Sequence, residues 1–143
     1  MSDEQLLEFV DTNILIYAHD STAGDKYRRA QSLMTHLWDA RCGCMSMQVL
    51  QEFYVNVTRK IAQPLAASAA AELIADFATW RLHSPSIPDI VAAISIQRRY
   101  DVPFWDALIL RSANRLGCSL VWSEDLNAGQ VYDGVRVLNP FTT

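Results

Sequence analysis

The sequence predicts an α/β protein, a three-layer α/β/α sandwich with a central, mainly parallel sheet of about five strands. Short apolar runs of strand length alternate with longer segments of helical periodicity over most of the chain, which is typical of parallel sheets covered on both faces. The 143 residues, half of them hydrophobic, suffice for one compact core. No repeat or low-complexity block divides them, so we expect a single domain over residues 1–143.

The first predicted strand and helix meet at a run of polar residues. Residues 6–10 form an apolar run that fits a buried strand. Residues 11–13, Asp-Thr-Asn, favour helix N-termini and precede the apolar run 14–17, so a short helix should follow. The next segment, 24–41, carries apolar side chains at helical spacing and predicts a longer helix.

The middle of the chain predicts a strand followed by two helices. Residues 43–46 are a brief strand candidate, and Ser46 can cap a helix that runs to about Lys60. The dipeptide at 63–64, Gln-Pro, interrupts this helix. The segment 65–81 is rich in alanine and lacks helix breakers, so it predicts another helix.

Proline and glycine mark the remaining elements. A short strand at 81–84 precedes Pro88, which can open a helix that ends at Tyr100. Pro103 opens the next helix, which ends at Gly117. The last two strands are predicted at residues 119–122 and 135–138.

The charge balance constrains the class of partner. A formal charge of −4 argues against a protein that coats DNA, since such proteins usually carry a dominant basic face. It does not exclude an enzyme that acts on nucleic acid. Apart from Lys26 and Lys60, all the cations are arginines, which suit bidentate contacts to phosphate. Compositional drift explains the arginine bias equally well.

Cysteine usage and the N-terminus predict a cytoplasmic protein. The three cysteines form no CxxC pair and no zinc-ligand spacing, so we expect them to be buried in a reducing compartment. The first ten residues are acidic and lack the features of a secretion signal. No apolar stretch approaches the ~20 residues needed to cross a bilayer, so we expect no membrane association.

Acidic residues follow two of the predicted strands. Asp11 comes directly after the first strand, and Glu124 and Asp125 come after the strand that begins at Ser119. Ligands of open α/β sheets bind beyond the carboxyl ends of the strands, where both groups of acids should emerge. Each acid also has a structural explanation, because Asp11 could cap a helix and Asp125 could form a turn.

Asp106 lies in a helical segment that is apolar on nearly every side and is therefore expected to be buried. Free backbone N–H groups of the first helical turn favour a carboxylate there. Without a cation or several donors, however, its burial would cost several kcal/mol. We expect either a structural arginine partner or a functional role.

The pattern of the third helix does not single out Glu52. Glu52 lies with Arg59 on the side opposite the main apolar stripe, which consists of Leu50, Phe53, Tyr54, Val57 and Ile61. Periodicity alone therefore predicts an ordinary solvated glutamate. Arg59 and Arg111 are possible contacts to substrate phosphate, although solvated surface arginines are the simpler explanation of both.

At this level of detail the chain resembles the PIN domain, particularly the small bacterial PIN ribonucleases typified by the VapC toxins. Four motifs in the family's order carry the resemblance: Phe9–Leu15, Ser46–Phe53, Phe104–Ile109 and Trp122–Gln130. The ending Val135–Phe141 also resembles the family, so the resemblance covers essentially the whole chain.

The resemblance implies a set of metal-site carboxylates and of polar residues that support them. The carboxylates are Asp11, Glu52, Asp106 and Asp125, with Thr12, Asn13 and Ser123 in support. Glu124 is a neighbouring acid, and the resemblance selects Asp125 over it. Ligands that are all oxygen favour Mg²⁺ or Mn²⁺, as one or two ions, over zinc.

The resemblance also implies activity and partners. The family hydrolyses RNA phosphodiester bonds with metal-activated water, which leaves a 5′-phosphate and a 3′-hydroxyl. A small antitoxin is the implied partner and inserts a segment into the acidic groove. A homodimer is implied as well.

Alternative functions leave different signatures. A receiver-type phosphoacceptor module needs a lysine near the late strands, whereas the lysines here are Lys26 and Lys60. A dehalogenase-like phosphatase needs a second aspartate two positions after Asp11, where this chain has Asn13. A PIN fold that only binds RNA should have lost acids, and all four are present. A housekeeping RNA-processing enzyme without a toxin role stays open.

Overall fold

The computed structural model describes residues 6–142, in which six strands alternate with six α-helices. The strands are Glu8–Val10 (β1), Gly43–Ser46 (β2), Arg81–His83 (β3), Leu120–Trp122 (β4), Val131–Tyr132 (β5) and Val135–Leu138 (β6). The helices are Thr12–Tyr17 (α1), Asp25–Ala40 (α2), Met47–Arg59 (α3), Ala67–Asp76 (α4), Ile87–Tyr100 (α5) and Phe104–Leu116 (α6), and a 3-10 turn, Phe77–Thr79, follows α4.

Every predicted strand and helix is present, so the mainly parallel sandwich is confirmed, with one strand more than expected. The additional strand, β5, pairs antiparallel with β6. Asp133 and Gly134 connect the two strands, and both have positive φ angles, 48° and 85°. Asp-Gly suits such a two-residue turn. A strand of two residues is too short to show an apolar pattern, which is why the sequence did not reveal it.

The sheet has the strand order β3-β2-β1-β4-β6-β5. β1 pairs in parallel with β2 and β4, so that Phe9 lies opposite both Cys44 and Val121. From β1 the chain proceeds outward through β2 and β3, then returns to the other side through β4 and β6. The order therefore reverses between β1 and β4, and ligands bind at this point in open α/β sheets.

The core lies against both faces of the central strands. Phe9, Val10 and Val121 have no exposed surface. On the helical side, α1 packs on α2 and α3, α3 packs on α4, and α5 packs on α6. The predicted burial of all three cysteines, Cys42, Cys44 and Cys118, is confirmed. None of the helices between residues 6 and 142 is long and apolar enough to cross a membrane.

Helix ends follow the local signals where tertiary contacts do not intervene. α6 begins after Pro103 and ends at Gly117, whose φ is +80°, as predicted. α4 is shorter than predicted, because the chain tightens into the 3-10 turn at Phe77. The Phe77 ring packs against Trp38 and Trp80, at centroid distances of 5.4 and 5.2 Å, which no local pattern could show.

Candidate active site

The candidate site lies at the carboxyl ends of β1 and β4. Asp11 is the N-cap of α1, and its backbone N–H donates to the carbonyl of Trp122, the last residue of β4. Ser123 follows directly and is fully buried. The strand pairing thus places Asp11 next to Ser123, although 112 positions separate them in the chain. The predicted capping role of Asp11 is confirmed, and it coexists with a place in the acidic cluster.

Asp11 is buried and accepts hydrogen bonds from three directions. Its Oδ1 accepts from the backbone N–H of Thr12 at 2.7 Å. Its Oδ2 accepts from the Ser123 hydroxyl at 2.7 Å and from the Asn13 amide at 3.3 Å. Burial, together with the smaller effect of the charges of Asp106 and Asp125, nevertheless raises the pKa of Asp11 to about 7 against the effect of these donors. No cation within residues 6–142 is among the groups that shift the pKa of Asp11.

Asn13 connects the two strand ends. Its Nδ2 also donates to Asp125 Oδ2 at 3.1 Å, and its Oδ1 accepts from the Glu124 backbone N–H at 3.2 Å. The Asp125 backbone N–H donates in turn to Ser123 Oγ at 3.1 Å. The orientation of Asp125 relative to Asp11 is therefore fixed by a neutral network of Asn13 and Ser123.

Glu52 reaches the same edge from α3. Its Oε1 accepts from the Thr12 hydroxyl at 2.7 Å. The interpretation of Glu52 as a solvated surface residue is wrong: its side chain is partly buried, and Val49, one turn earlier, is fully buried. Tyr54, expected in the apolar stripe, is 39% exposed. The buried face of α3 is thus rotated toward Glu52, because α1 packs there.

Gln48 links Glu52 to the N-terminus of α6. Its Nε2 donates to Glu52 Oε2 at 3.4 Å and to the carbonyl of Trp105 at 3.3 Å. The Gln48 Oε1 is buried and, within residues 6–142, has no hydrogen-bond partner. Sequence reasoning missed Gln48. The available signal was its position four residues before Glu52, on the same side of the helix.

Asp106 is the carboxylate with the fewest contacts. Within residues 6–142 its side chain makes no hydrogen bond and no ion pair. Burial raises its pKa, and the charges of Asp125 and Glu52 raise it further. The first of the two alternatives for Asp106, a structural arginine partner, is absent from residues 6–142, and Arg111 on the same helix bonds instead to Asp89 at 2.9 Å. The charge of Asp106 is left for a ligand to compensate.

Glu124 is held away from the carboxylates by two other side chains. It accepts from the Tyr17 hydroxyl and from Lys26 Nζ, each at 2.7 Å. The hydrogen bond from Lys26 to Glu124 raises the pKa of Lys26. Between the two adjacent acids, Asp125 is the one that contacts the network around Asp11. Tyr17 and Lys26 were missed, and Lys26 left no local signal because its partner lies 98 positions away.

The two arginines predicted as possible phosphate contacts differ in their surroundings. Arg59 is exposed at the last turn of α3. Arg111 is partly buried and engaged by Asp89, which also bonds to Ser86 and lies 3.2 Å from His83 Nε2. The Arg111 guanidinium thus takes part in an internal network. A phosphate contact of either arginine stays a prediction.

The side chains of the site match a divalent cation in chemistry and in charge. The carboxylates present only oxygen donors, and burial, followed by the charges of neighbouring carboxylates, raises the pKa values of Asp11 and Asp106. Between residues 6 and 142, no three Asp, Glu, His or Cys side chains lie close enough to enclose an ion by themselves. Mg²⁺ fits such an open arrangement, because it is usually held by one or two carboxylates and keeps several waters.

Comparison with known proteins identifies one family. The family model of the PIN domain matches residues 9–134. No curated protein matches the chain.

Solved structures of bacterial toxins resemble the fold. A toxin–antitoxin complex from Klebsiella pneumoniae is 19% identical, with a TM-score of 0.68 and coverage of 95% of this chain and 99% of that one. VapC20 of Mycobacterium tuberculosis, a sarcin–ricin loop cleaving toxin, is 20% identical, with a TM-score of 0.64 and coverage of 82% and 89%. DNA-bound VapBC from Salmonella typhimurium is 15% identical, with a TM-score of 0.65 and coverage of 95% and 99%. At these identities the likeness shows the fold.

Proposed function

The chain belongs to the PIN-domain family, and on that premise we propose that it is a metal-dependent endoribonuclease and the toxin of a VapBC-type toxin–antitoxin pair. The observation that carries this proposal is the position of Asp11. A buried carboxylate with a raised pKa, surrounded by Asp106 and Asp125, needs a cation to be stable as an anion. An acidic centre of this kind at the carboxyl edge of a sheet suits phosphodiester hydrolysis.

Asp11 and Asp106 are the central ligands in this proposal, and Glu52 and Asp125 complete the site directly or through water. A bound Mg²⁺ or Mn²⁺, as one or two ions, would supply an activated water and neutralise charge on the scissile phosphate. The donor set contains no sulfur or imidazole, which favours these hard cations over zinc.

Supporting side chains in this proposal orient the carboxylates. Ser123 and Asn13 donate to Asp11 Oδ2, so the oxygen that faces Asp125 is held in place. Thr12 does the same for Glu52 through its hydroxyl. Because these donors are neutral, they fix the geometry without cancelling the charge that attracts a cation.

RNA is the proposed substrate, and one of the similar structures, a toxin that cleaves the sarcin–ricin loop, supports that class. The test is incubation of the purified protein with labelled RNA in Mg²⁺, in Mn²⁺ and in EDTA. We expect metal-dependent cleavage by the wild type and none by Asp11→Asn. Asp39→Asn, which removes an exposed carboxylate of α2, should cleave like the wild type. Cleavage by Asp11→Asn with normal Mg²⁺ dependence would refute the assignment.

An antitoxin is the proposed protein partner, supported by similar structures that are themselves toxin–antitoxin complexes. In this proposal a short segment of the antitoxin enters the acidic groove and places an arginine among the carboxylates. Co-expression with the reading frame just upstream should abolish RNA cleavage. A co-purifying upstream product that leaves cleavage intact, or no such reading frame, would favour a housekeeping nuclease. Binding of RNA without metal-dependent cleavage would favour the binding module.

A homodimer and a cytoplasmic location also stay predictions. The exposed face of α5 supports the dimer, because aliphatic side chains recur along it at helical spacing and are 41–77% exposed: Ile87, Ile90, Val91 and Ile94. A second copy of the chain would cover them. Analytical ultracentrifugation should show a dimer that Val91→Glu converts to a monomer. A monomeric wild type would refute this prediction.

A further inference from the structure

Trp105 is an exposed aromatic residue at the edge of the acidic site. Its side chain is 61% exposed, more than any other aromatic side chain in residues 6–142. It occupies the first turn of α6, one position before Asp106. An indole left this open to water gives up a large hydrophobic gain, so a ligand that covers it would recover that gain.

The backbone of Trp105 is fixed relative to the carboxylates. Its carbonyl accepts the hydrogen bond from Gln48 Nε2, and the same amide group donates to Glu52. The ring itself packs edge-on against Phe104, at a centroid distance of 5.1 Å and an interplanar angle of 73°. Trp105 is therefore a positioned ring on a regular helix.

We propose that Trp105 is a base-stacking residue and binds an unpaired base of the RNA next to the cleaved phosphate. This inference rests on the proposed ribonuclease function. Unpaired bases expose a π-face that stacks on aromatic side chains, whereas a duplex hides its bases inside the stack. Because Trp105 and Asp106 are consecutive in the first turn of α6, a base stacked on Trp105 would belong to the same strand segment as the reacting phosphate. Trp105 thus selects single strands and loops.

The neighbourhood of Trp105 favours a base over a protein side chain. Trp105 precedes Asp106 in the chain and its carbonyl accepts from Gln48, whereas the aliphatic row suited to a protein contact lies on α5. A base brings its phosphates to the place where a cation would balance them, whereas an apolar protein surface would bury the carboxylates unpaired. A protein contact is the competing outcome of the test.

The test compares Trp105→Ala and Trp105→Phe with a matched control. Tyr54→Ala removes another exposed aromatic ring, which lies about 200° around α3 from Glu52. Cleavage is measured on fluorescein-labelled single-stranded RNA of about 20 nucleotides and on the same sequence paired in a duplex. Binding of both probes is measured in EDTA with each substitution added to Asp11→Asn.

We expect Trp105→Ala to raise the KM and the Kd for the single strand about tenfold and to leave kcat within about twofold. Trp105→Phe should restore most of the loss, and Tyr54→Ala should match its parent protein. The wild type should prefer the single strand to the duplex, and Trp105→Ala should lose most of this preference.

Two outcomes would overturn the stacking role while the nuclease stands. One is cleavage by the wild type with the same KM and Kd in Trp105→Ala. The other is a shift of the sedimentation coefficient by Trp105→Ala without a change in RNA binding, which would identify a protein contact. If the wild type cleaves no RNA, the proposed function fails, and the Kd of Trp105→Ala in EDTA then decides the stacking role by itself.

Discussion

The side-chain ammonium of Lys26 lies 2.7 Å from a carboxylate oxygen of Glu124, the residue directly before Asp125. The same ammonium lies over the rings of Tyr17 and Phe141, at 4.9 and 5.5 Å from their centroids. Glu124 also accepts the hydroxyl hydrogen bond of Tyr17. Through these contacts Lys26, on α2, connects Tyr17 of α1 and Phe141 near the chain end to the turn that carries Asp125.

Removing either partner of this contact should lower cleavage. We expect Lys26→Met and Glu124→Gln each to reduce kcat about tenfold, since a small shift of the turn displaces Asp125 from its working position. Arg28→Met removes an exposed cation of the same helix, which only pairs with Asp25 at the surface, and should have no effect. Steady-state cleavage of labelled RNA in Mn²⁺ gives these values.

Reversal of the pair separates geometry from charge. Lys26→Glu combined with Glu124→Lys should recover part of the activity that each single change removes. If both singles are as active as the wild type, the turn needs no such contact to hold Asp125. If the double variant is less active than either single, Lys26 contributes its own charge rather than a tie to Glu124.

Gln48→Leu should separate activity from stability. The substitution removes the link between Glu52 and Trp105 and also a buried carbonyl oxygen without a partner, which costs about 1–3 kcal/mol when left unpaired. We therefore expect lower cleavage together with a free energy of unfolding that is unchanged or up to ~1 kcal/mol higher. Gln51→Leu, on the exposed side of α3, is the control. Equal loss of stability and activity would contradict a positioning role.

Asp89 and Arg111 should matter for stability. Both side chains are largely buried, and the Asp89 carboxylate also contacts Ser86 and His83. Breaking such a pair leaves an uncompensated buried charge, so Arg111→Ala should lower the free energy of unfolding by about 3 kcal/mol. Arg99→Ala breaks the exposed pair with Asp133 and should lower the free energy of unfolding much less. Urea denaturation of both variants checks the difference.

The same network predicts a dependence on pH. The hydrogen bond from the Ser86 backbone N–H holds the pKa of Asp89 well below its ordinary value of 3.8. Burial opposes this effect, and the Arg111 guanidinium adds to it. Because the folded state binds this proton less tightly, Asp89 stabilises the fold above that ordinary pKa, and the stabilisation is lost as the pH falls below it. Between about pH 4 and pH 2, the free energy of unfolding should fall more steeply for the wild type than for Asp89→Asn. Parallel curves would contradict this.

Gly43 should tolerate no side chain. A Cβ atom added there would overlap the Trp80 ring, so Gly43→Ala forces the indole to move. Overpacking of this kind costs about 1–3 kcal/mol. Trp80→Leu should absorb part of that cost, and a double-mutant cycle in urea measures the coupling. Gly43→Ala with wild-type stability in an otherwise unchanged chain would show that the ring relaxes freely.

Local patterns predicted most of the fold because the boundary signals act within a few residues. Pro103 and Gly117 set the ends of α6, and Ser46 caps α3 as predicted. The strand β5 and the early end of α4 were missed, since a two-residue hairpin strand and the docking of Phe77 on Trp38 depend on contacts between distant segments.

The candidate site was likewise predictable in part from the sequence and in part only from the tertiary structure. The sequence by itself determined the acids and their order, because Asp11 and Asp125 follow strands whose ends share one edge of a parallel sheet, and the family resemblance added Glu52. Only the tertiary structure decided which acids meet and which do not. In the folded chain Glu52 accepts a hydrogen bond from Thr12 and Glu124 pairs with Lys26, whereas Asp106 has no arginine partner among the described residues. The physical reason is that periodicity reports the environment of a residue on its own helix, whereas hydrogen bonds and charge pairs form across segments about 40 to 110 positions apart.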